Sequence, residues 1–179
     1  FLEFNQSEAL AFDDGKLKSA SFDVTQGFGL RAVAGEAHAY AHASDLSDAA
    51  LQRAAATVQA VHAGYGGTLA EPPQGTNRRL YSADDPLADA AFAAKIETLR
   101  EIDAAARAAD PRVVQVSATL AASHQEIEIL RPEGIRLGDV RPMARLNISV
   151  ILEEGGRRES GGAGGGGRFG LAGLMARDH

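Results

Sequence analysis

Residues 8–24 read Glu-Ala-Leu-Ala-Phe-Asp-Asp-Gly-Lys-Leu-Lys-Ser-Ala-Ser-Phe-Asp-Val. Asp13-Asp14-Gly15 is a hairpin signal between residues 8–12 and 17–24. Past it, Ala20, Phe22 and Val24 alternate with Ser19, Ser21 and Asp23, the period of a half-buried strand. Phe28, Leu30 and Ala32 continue that period, and Gly35 makes the next turn. In residues 36–44, Ala37, Ala39, Ala41 and Ala43 form one small apolar face, with His38, Tyr40 and His42 on the other.

A helix is expected next. Ser47 is a good N-cap, Asp48 suits the positive helix end, and Leu46 and Leu51 have hydrophobic-staple spacing. Leu51, Ala54, Ala55, Val58 and Val61 make its buried stripe, and Gly64 supplies the stop. Residues 64–79, with Gly-Tyr-Gly-Gly and Glu-Pro-Pro-Gln-Gly, read as a connector. A second helix is expected to begin near Asp85, with Pro86 in its first turn, and to end before Asp110-Pro111. Its stripe is Phe92, Ile96, Leu99, Ile102 and Ala106.

Three more strands follow, over 113–121, 125–130 and 144–152, with Pro132-Glu133-Gly134 closing the second. Strands at both ends and helices between them predict an α+β fold: a curved antiparallel or mixed sheet with two main helices packed on one face. Residues 1–155 are expected to form this domain. Residues 156–179 form a glycine-rich segment that leads onward. In that segment Phe169, Leu171, Leu174 and Met175 are an apolar group expected to be covered by a following domain or a partner.

The 179 residues can bury a core, and 45% hydrophobic with 23% charged is ordinary soluble usage. A formal charge of −6 argues against a nucleic-acid or anionic-membrane partner. No apolar run approaches the roughly 20 residues that cross a bilayer. The absence of cysteine excludes a disulfide framework, a thiolate zinc site and a cysteine nucleophile in this chain. The start, Phe1-Leu2-Glu3-Phe4, carries no leader signal and reads as a cut chain.

Residues 161–167 read Gly-Gly-Ala-Gly-Gly-Gly-Gly, followed by Arg168-Phe169-Gly170. A dinucleotide fingerprint needs strand, tight turn and helix in immediate succession, and a phosphate loop needs Lys-Ser or Lys-Thr; neither is present. Close backbone approach or structural packing is expected ahead of a linker. His38 and His42 on a strand lie about 13 Å apart, too far for one zinc ion. His124 precedes Gln-Glu, not the zincin pattern. Asp84-Asp85, Glu126 with Glu128, and Glu153-Glu154 lack a nucleophile or second catalytic group, so no catalytic or metal residue is assigned.

Two stretches resemble the TldD/PmbA family. Residues 23–46 are similar to its early hairpin, a Gly-x-Gly-x-Arg strand, a turn, an aromatic-bearing strand and a capped helix. Residues 139–170 are more specific: Asp139-Val140-Arg141-Pro142, the strand over 145–152, Glu153-Glu154-Gly155, Arg157-Arg158-Glu159, and Gly164-Gly165-Gly166-Gly167-Arg168-Phe169-Gly170. The resemblance favours TldD over its sister PmbA, also called TldE. It implies a cytoplasmic zinc metallopeptidase that pairs with a TldE/PmbA-like subunit and acts on unfolded or precursor peptides. An older label, modulator of DNA gyrase, belongs to the same family. The family's metal ligands, a His-Glu-x-x-x-His helix and a later Cys, have no counterpart in this chain, so no cofactor is expected here and zinc is expected in the parent protein. Gly164, Gly165, Gly166, Gly167, Arg168 and Phe169 are the candidate substrate-binding residues, a wall beside the path of an extended peptide. Partners are then the TldE/PmbA-like subunit and the chain's own carboxy-terminal domain. The alternative is a free-standing peptide- or protein-binding module with no catalytic half.

Overall fold

The structure, a computed structural model, describes residues 1–60 and 81–175. Along the chain run β1 (Leu2–Asp13), β2 (Lys16–Ala34), β3 (Ala37–Ala43), α1 (Asp48–Gln59), α2 (Phe92–Ala109), β4 (Val113–Leu130), β5 (Arg136–Glu154), β6 (Arg157–Gly167) and α3 (Leu171–Met175). The strands form one sheet in the order β3-β2-β1-β4-β5-β6, mostly antiparallel, so the fold is broadly α+β. Residue contacts divide the described chain into two compact units, residues 1–5, 25–60 and 126–139, and residues 6–24, 81–125 and 140–175. The expected end of the first helix stripe at Val61, its stop at Gly64 and the connector 64–79 lie outside the described residues.

In the first unit, Gly35 turns β2 into β3 at φ 62°, a left-handed conformation open to glycine. β3 then presents Ala41 and Ala43 to a core of Phe28, Ala50 and Ala54. Ser47 caps α1: its Oγ accepts the Ala50 N–H at 3.3 Å. The Asp45 carboxylate accepts both the Ser47 N–H, at 2.9 Å, and the Ser47 hydroxyl, at 2.8 Å. Those bonds to the ionised form hold its pKa below the usual carboxylate value. The buried line of α1 is Ala50, Ala54 and Val58, with the expected Leu51 only half-buried. Small residues on that line let the helix lie close to the alanine face of β3.

In the second unit, Asp14 (φ 53°) and Gly15 (φ 76°) make the expected hairpin. The core gathers Leu10, Phe12, Leu99, Ala118, Leu120, Ala144, Leu146, Leu171 and Leu174. β4 is one strand where two were expected, because Ala122 and His124 stay buried through the Ala-Ala-Ser-His stretch that looked like a break. α2 begins at Phe92, not near Asp85. The Asp85 carboxylate accepts the Leu87 N–H at 2.8 Å, and its carbonyl accepts Ala88 and Asp89 N–H groups at 3.1 and 3.2 Å. That closes a separate turn before the helix starts.

The line that α2 buries is Lys95, Leu99 and Asp103, whereas Phe92, expected inside, is 48% exposed. Lys95 is 3% exposed and fully bonded: Nζ donates to both Glu8 carboxylate oxygens at 3.1 Å and to the Leu87 carbonyl at 2.9 Å. Asp103 accepts from Arg107 Nε at 3.1 Å, and Arg107 Nη2 donates to Asp14 in the hairpin turn. These bonds raise the Arg107 pKa, the Asp103 carboxylate contributing most. Buried charges are tolerated here because each meets an opposite charge.

Candidate functional site

The glycine run is a strand. β6 pairs antiparallel with β5 from Glu154↔Arg157 to Ala144↔Gly167, and it is an outer member of the sheet order. No strand lies beyond it among the described residues. Glycine is required at alternate positions by the closeness of β5. A Cβ at Gly162 would sit 3.0 Å from the Ile148 carbonyl oxygen, at Gly164 2.9 Å from that of Leu146, and at Gly166 2.7 Å from that of Ala144. At Gly161 the nearest atom would be 4.0 Å away. The close approach is thus to the chain's own β5.

Side chains of β5 use the room so left. Asn147 Oδ1 lies 2.7 Å from where a Cβ on Gly164 would stand. It accepts Arg145 Nε–H at 3.0 Å, and Asn147 Nδ2 donates to Thr119 Oγ1 of β4 at 3.4 Å. Arg145 and Asn147 stand opposite Gly166 and Gly164, so all four share one face. Sequence reading placed residues 145–152 in the family signature but did not assign Arg145 and Asn147 to the candidate site; their signal there was a polar parity along β5 opposite the glycines.

Beyond β6, Arg168 lies over the Tyr81 ring, 5.0 Å from its centroid. The Phe169 ring occupies the space a side chain on Gly167 would need, and Phe169 packs against the core. Leu171 and Leu174 are 6% and 1% exposed. This corrects the expectation that Phe169, Leu171 and Leu174 await a cover from elsewhere: they are seated in this chain's own core. The Met175 side chain lies outside what is described.

Other candidates resolve into structural pairs. Glu128 holds Arg136 at 2.6 Å, Glu153 holds Arg158 at 2.7 Å, and Glu154 holds Arg112 at 2.9 Å. A surface hollow lined by Arg112, Leu152, Glu154, Arg157 and Glu159 has both its arginines paired with carboxylates. His38 and His42 lie exposed on β3, His42 stacked on Tyr40 with ring centroids 5.5 Å apart, and His124 is buried in β4. No group of three or more His, Cys, Asp or Glu able to hold a metal occurs among the described residues. No helix among them is long and apolar enough to cross a membrane.

Comparison with known proteins agrees with the resemblance. Residues 1–63 match PmbA/TldA metallopeptidase domain 1, and residues 85–178 match the PmbA/TldA metallopeptidase central domain. The chain is 38% identical over 174 residues to a metalloprotease TldD homolog of Haemophilus influenzae, covering 96% of this chain and 36% of that protein. It therefore spans about a third of that relative's length. Two solved structures share the fold. A Bacteroides thetaiotaomicron protein described as a candidate modulator of DNA gyrase superposes with TM-score 0.70 at 15% identity, over 94% of this chain and 40% of that one. TldE from Thermococcus kodakarensis gives 0.64 at 12% identity, over 93% and 40%. The chain belongs to the TldD/PmbA family of metallopeptidases.

Proposed function

We propose that this chain is the non-catalytic amino-terminal part of a TldD-like zinc metallopeptidase of the cytoplasm. In this reading it supplies a wall of the channel for unfolded or precursor peptides and a surface for a TldE/PmbA-like subunit. Zinc and the hydrolytic groups belong to the remainder of the protein. The observation that carries the reading is β6: a glycine strand at an outer position in the sheet, with one row of backbone N–H and C=O groups turned away from β5. An extended peptide can pair with such an edge whatever its side chains, since main-chain bonds do the holding. Gly164, Gly165, Gly166, Gly167, Arg168 and Phe169 form the stretch along which it lies.

The test is Gly165→Val in the full-length protein. Peptide turnover should fall more than thermal stability does. Equal loss of both would assign the glycines to packing alone and remove the channel role.

A second reading, a peptide-binding module working without a catalytic half, is favoured by the seating of Leu171 and Leu174 in the chain's own core. The two readings separate on one measurement: stoichiometric zinc in the purified full-length protein supports the first and defeats the second.

A further inference from the structure

We propose that Arg145 selects for a carboxylate in the peptide that lies along β6, an inference that rests on the reading of β6 as a peptide edge. Arg145 Nε is committed to Asn147 Oδ1, and Asn147 is committed in turn to Thr119. An arginine Nε can only donate, so it fixes which end of the Asn147 amide faces it and leaves the amide nitrogen for the Thr119 hydroxyl. The three groups form a polar ladder along the face of β4 and β5 that continues onto the glycines.

That ladder uses one of the five guanidinium N–H groups. The Nη1 and Nη2 groups of Arg145 have no hydrogen-bond partner or ion pair among the described residues. At the far end of the β5–β6 pair the arginines are neutralised, Arg157 by Glu159 and Arg158 by Glu153. In a chain of net charge −6, an exposed arginine held by a neutral amide and left without a carboxylate is an unfilled half of an ion pair. A planar guanidinium anchored through Nε still presents its two terminal nitrogens as a fork, which matches the two oxygens of a carboxylate.

The glycines give that fork its direction of access. Arg145 stands opposite Gly166, and neither Gly164 nor Gly166 raises a side chain between β5 and the outer edge of β6. A strand added there lies two strand spacings from β5, about 10 Å. Arg145 Cβ lies 3.1 Å from where a Cβ on Gly166 would stand, and Asn147 Oδ1, which holds Arg145 Nε, lies 2.7 Å from the same point on Gly164. The guanidinium thus runs along β5 beside the bare glycines, and a Glu side chain on the same face of the peptide can turn back over them towards it. Arg168, which follows β6 and also lacks a carboxylate among the described residues, adds a second positive charge at that end.

Fluorescence anisotropy with this chain tests the idea, using labelled Thr/Ser peptides that differ only in a central Glu or Gln. The Glu peptide should bind about fivefold more tightly, the upper range for an exposed ion pair, and the gap should shrink as salt is raised. In Arg145→Gln the gap should vanish; Arg145→Lys should keep part of it. If both peptides bind equally, or the gap survives Arg145→Gln, carboxylate selection by Arg145 is wrong and the peptide edge stands. If neither peptide binds the folded chain, the reading of β6 as a peptide edge falls, and this inference with it.

Discussion

The Asp89 carboxylate accepts the Leu171 N–H at 2.8 Å and occupies the space into which a side chain on Gly170 would project. Gly170 stands where α3 needs an N-cap, its carbonyl accepting the Gly173 and Leu174 N–H groups at 3.1 and 3.3 Å, but it has no side chain to cap with. Asp89, from the segment before α2, supplies the missing acceptor. Cap loss costs about 1 kcal/mol. Asp89→Ala should therefore destabilise the chain by about that amount in urea unfolding, and Gly170→Ala should cost at least as much because it evicts Asp89. A Gly170→Ala variant as stable as wild type would show that Asp89 is not held there.

Much of the fold was legible where a residue's local chemistry decided it. Asp14-Gly15 made the hairpin and Ser47 made the cap because both act within three or four residues. The start of α2 was misplaced because Asp85-Pro86 has the chemistry of a helix start, yet closes only one turn. Lys95 and Asp103 are absent from the apolar stripe expected for the second helix because they are charged; Glu8, the partner that permits Lys95 to be buried, lies 87 residues away. β6 was not legible as a strand, since glycine is depleted in strands. What selects glycine there is the nearness of β5 carbonyls, a tertiary fact. The same distance hid Arg145 and Asn147 as parts of the candidate site.

The buried Lys95–Glu8 pair predicts an asymmetry between single and double replacement. Lys95→Ala removes the counter-charge from a carboxylate whose side chain is only 15% exposed and strands the Leu87 carbonyl. Breaking such a pair costs about 3–5 kcal/mol, whereas replacing both members by apolar residues of like volume costs far less. Urea midpoints should fall steeply for Lys95→Ala and recover in large part for Glu8→Leu combined with Lys95→Met. A Lys95→Ala chain with an unchanged midpoint would remove the pair from the account of how segment 85–91 is held.

Asp110 ties the end of α2 to β4, and it gives the acid limb of stability a defined sign. Hydrogen bonds from the Arg112 guanidinium, then from the Arg112 backbone N–H, lower its pKa to about 2. A carboxyl depressed on folding stabilises the fold above its unfolded pKa, about 3.9, and loses that contribution as pH falls through the folded value. Wild type should exceed Asp110→Asn in stability by a constant margin above about pH 4, and the margin should close towards pH 2. A margin still constant at pH 2 would mean that the bonds to Arg112 are not kept in solution.

Along β6, the contacts of individual glycines order their tolerance to a methyl group. An alanine at 166 would place Cβ 2.7 Å from the Ala144 carbonyl oxygen and 3.1 Å from Arg145 Cβ. Both neighbours belong to the body of β5 and cannot swing aside as a side-chain tip does. Relief requires β6 to move off β5, breaking the bonds around Arg145↔Gly166. Overpacking of this kind costs about 1–3 kcal/mol. An alanine at 161 meets nothing nearer than Val150 Cγ2 at 4.0 Å, and there the cost should stay within about 0.5 kcal/mol. Amide hydrogen exchange separates local from global loss. Gly166→Ala should expose the amides of residues 163–167 well before the core amides of Leu120 and Leu146, whereas Gly161→Ala should leave the pattern unchanged. Equal protection of β6 in the two variants would mean that its distance from β5 in solution is larger than the carbonyl contacts require, and the reason for alternating glycine would have to be sought on the strand's outer edge.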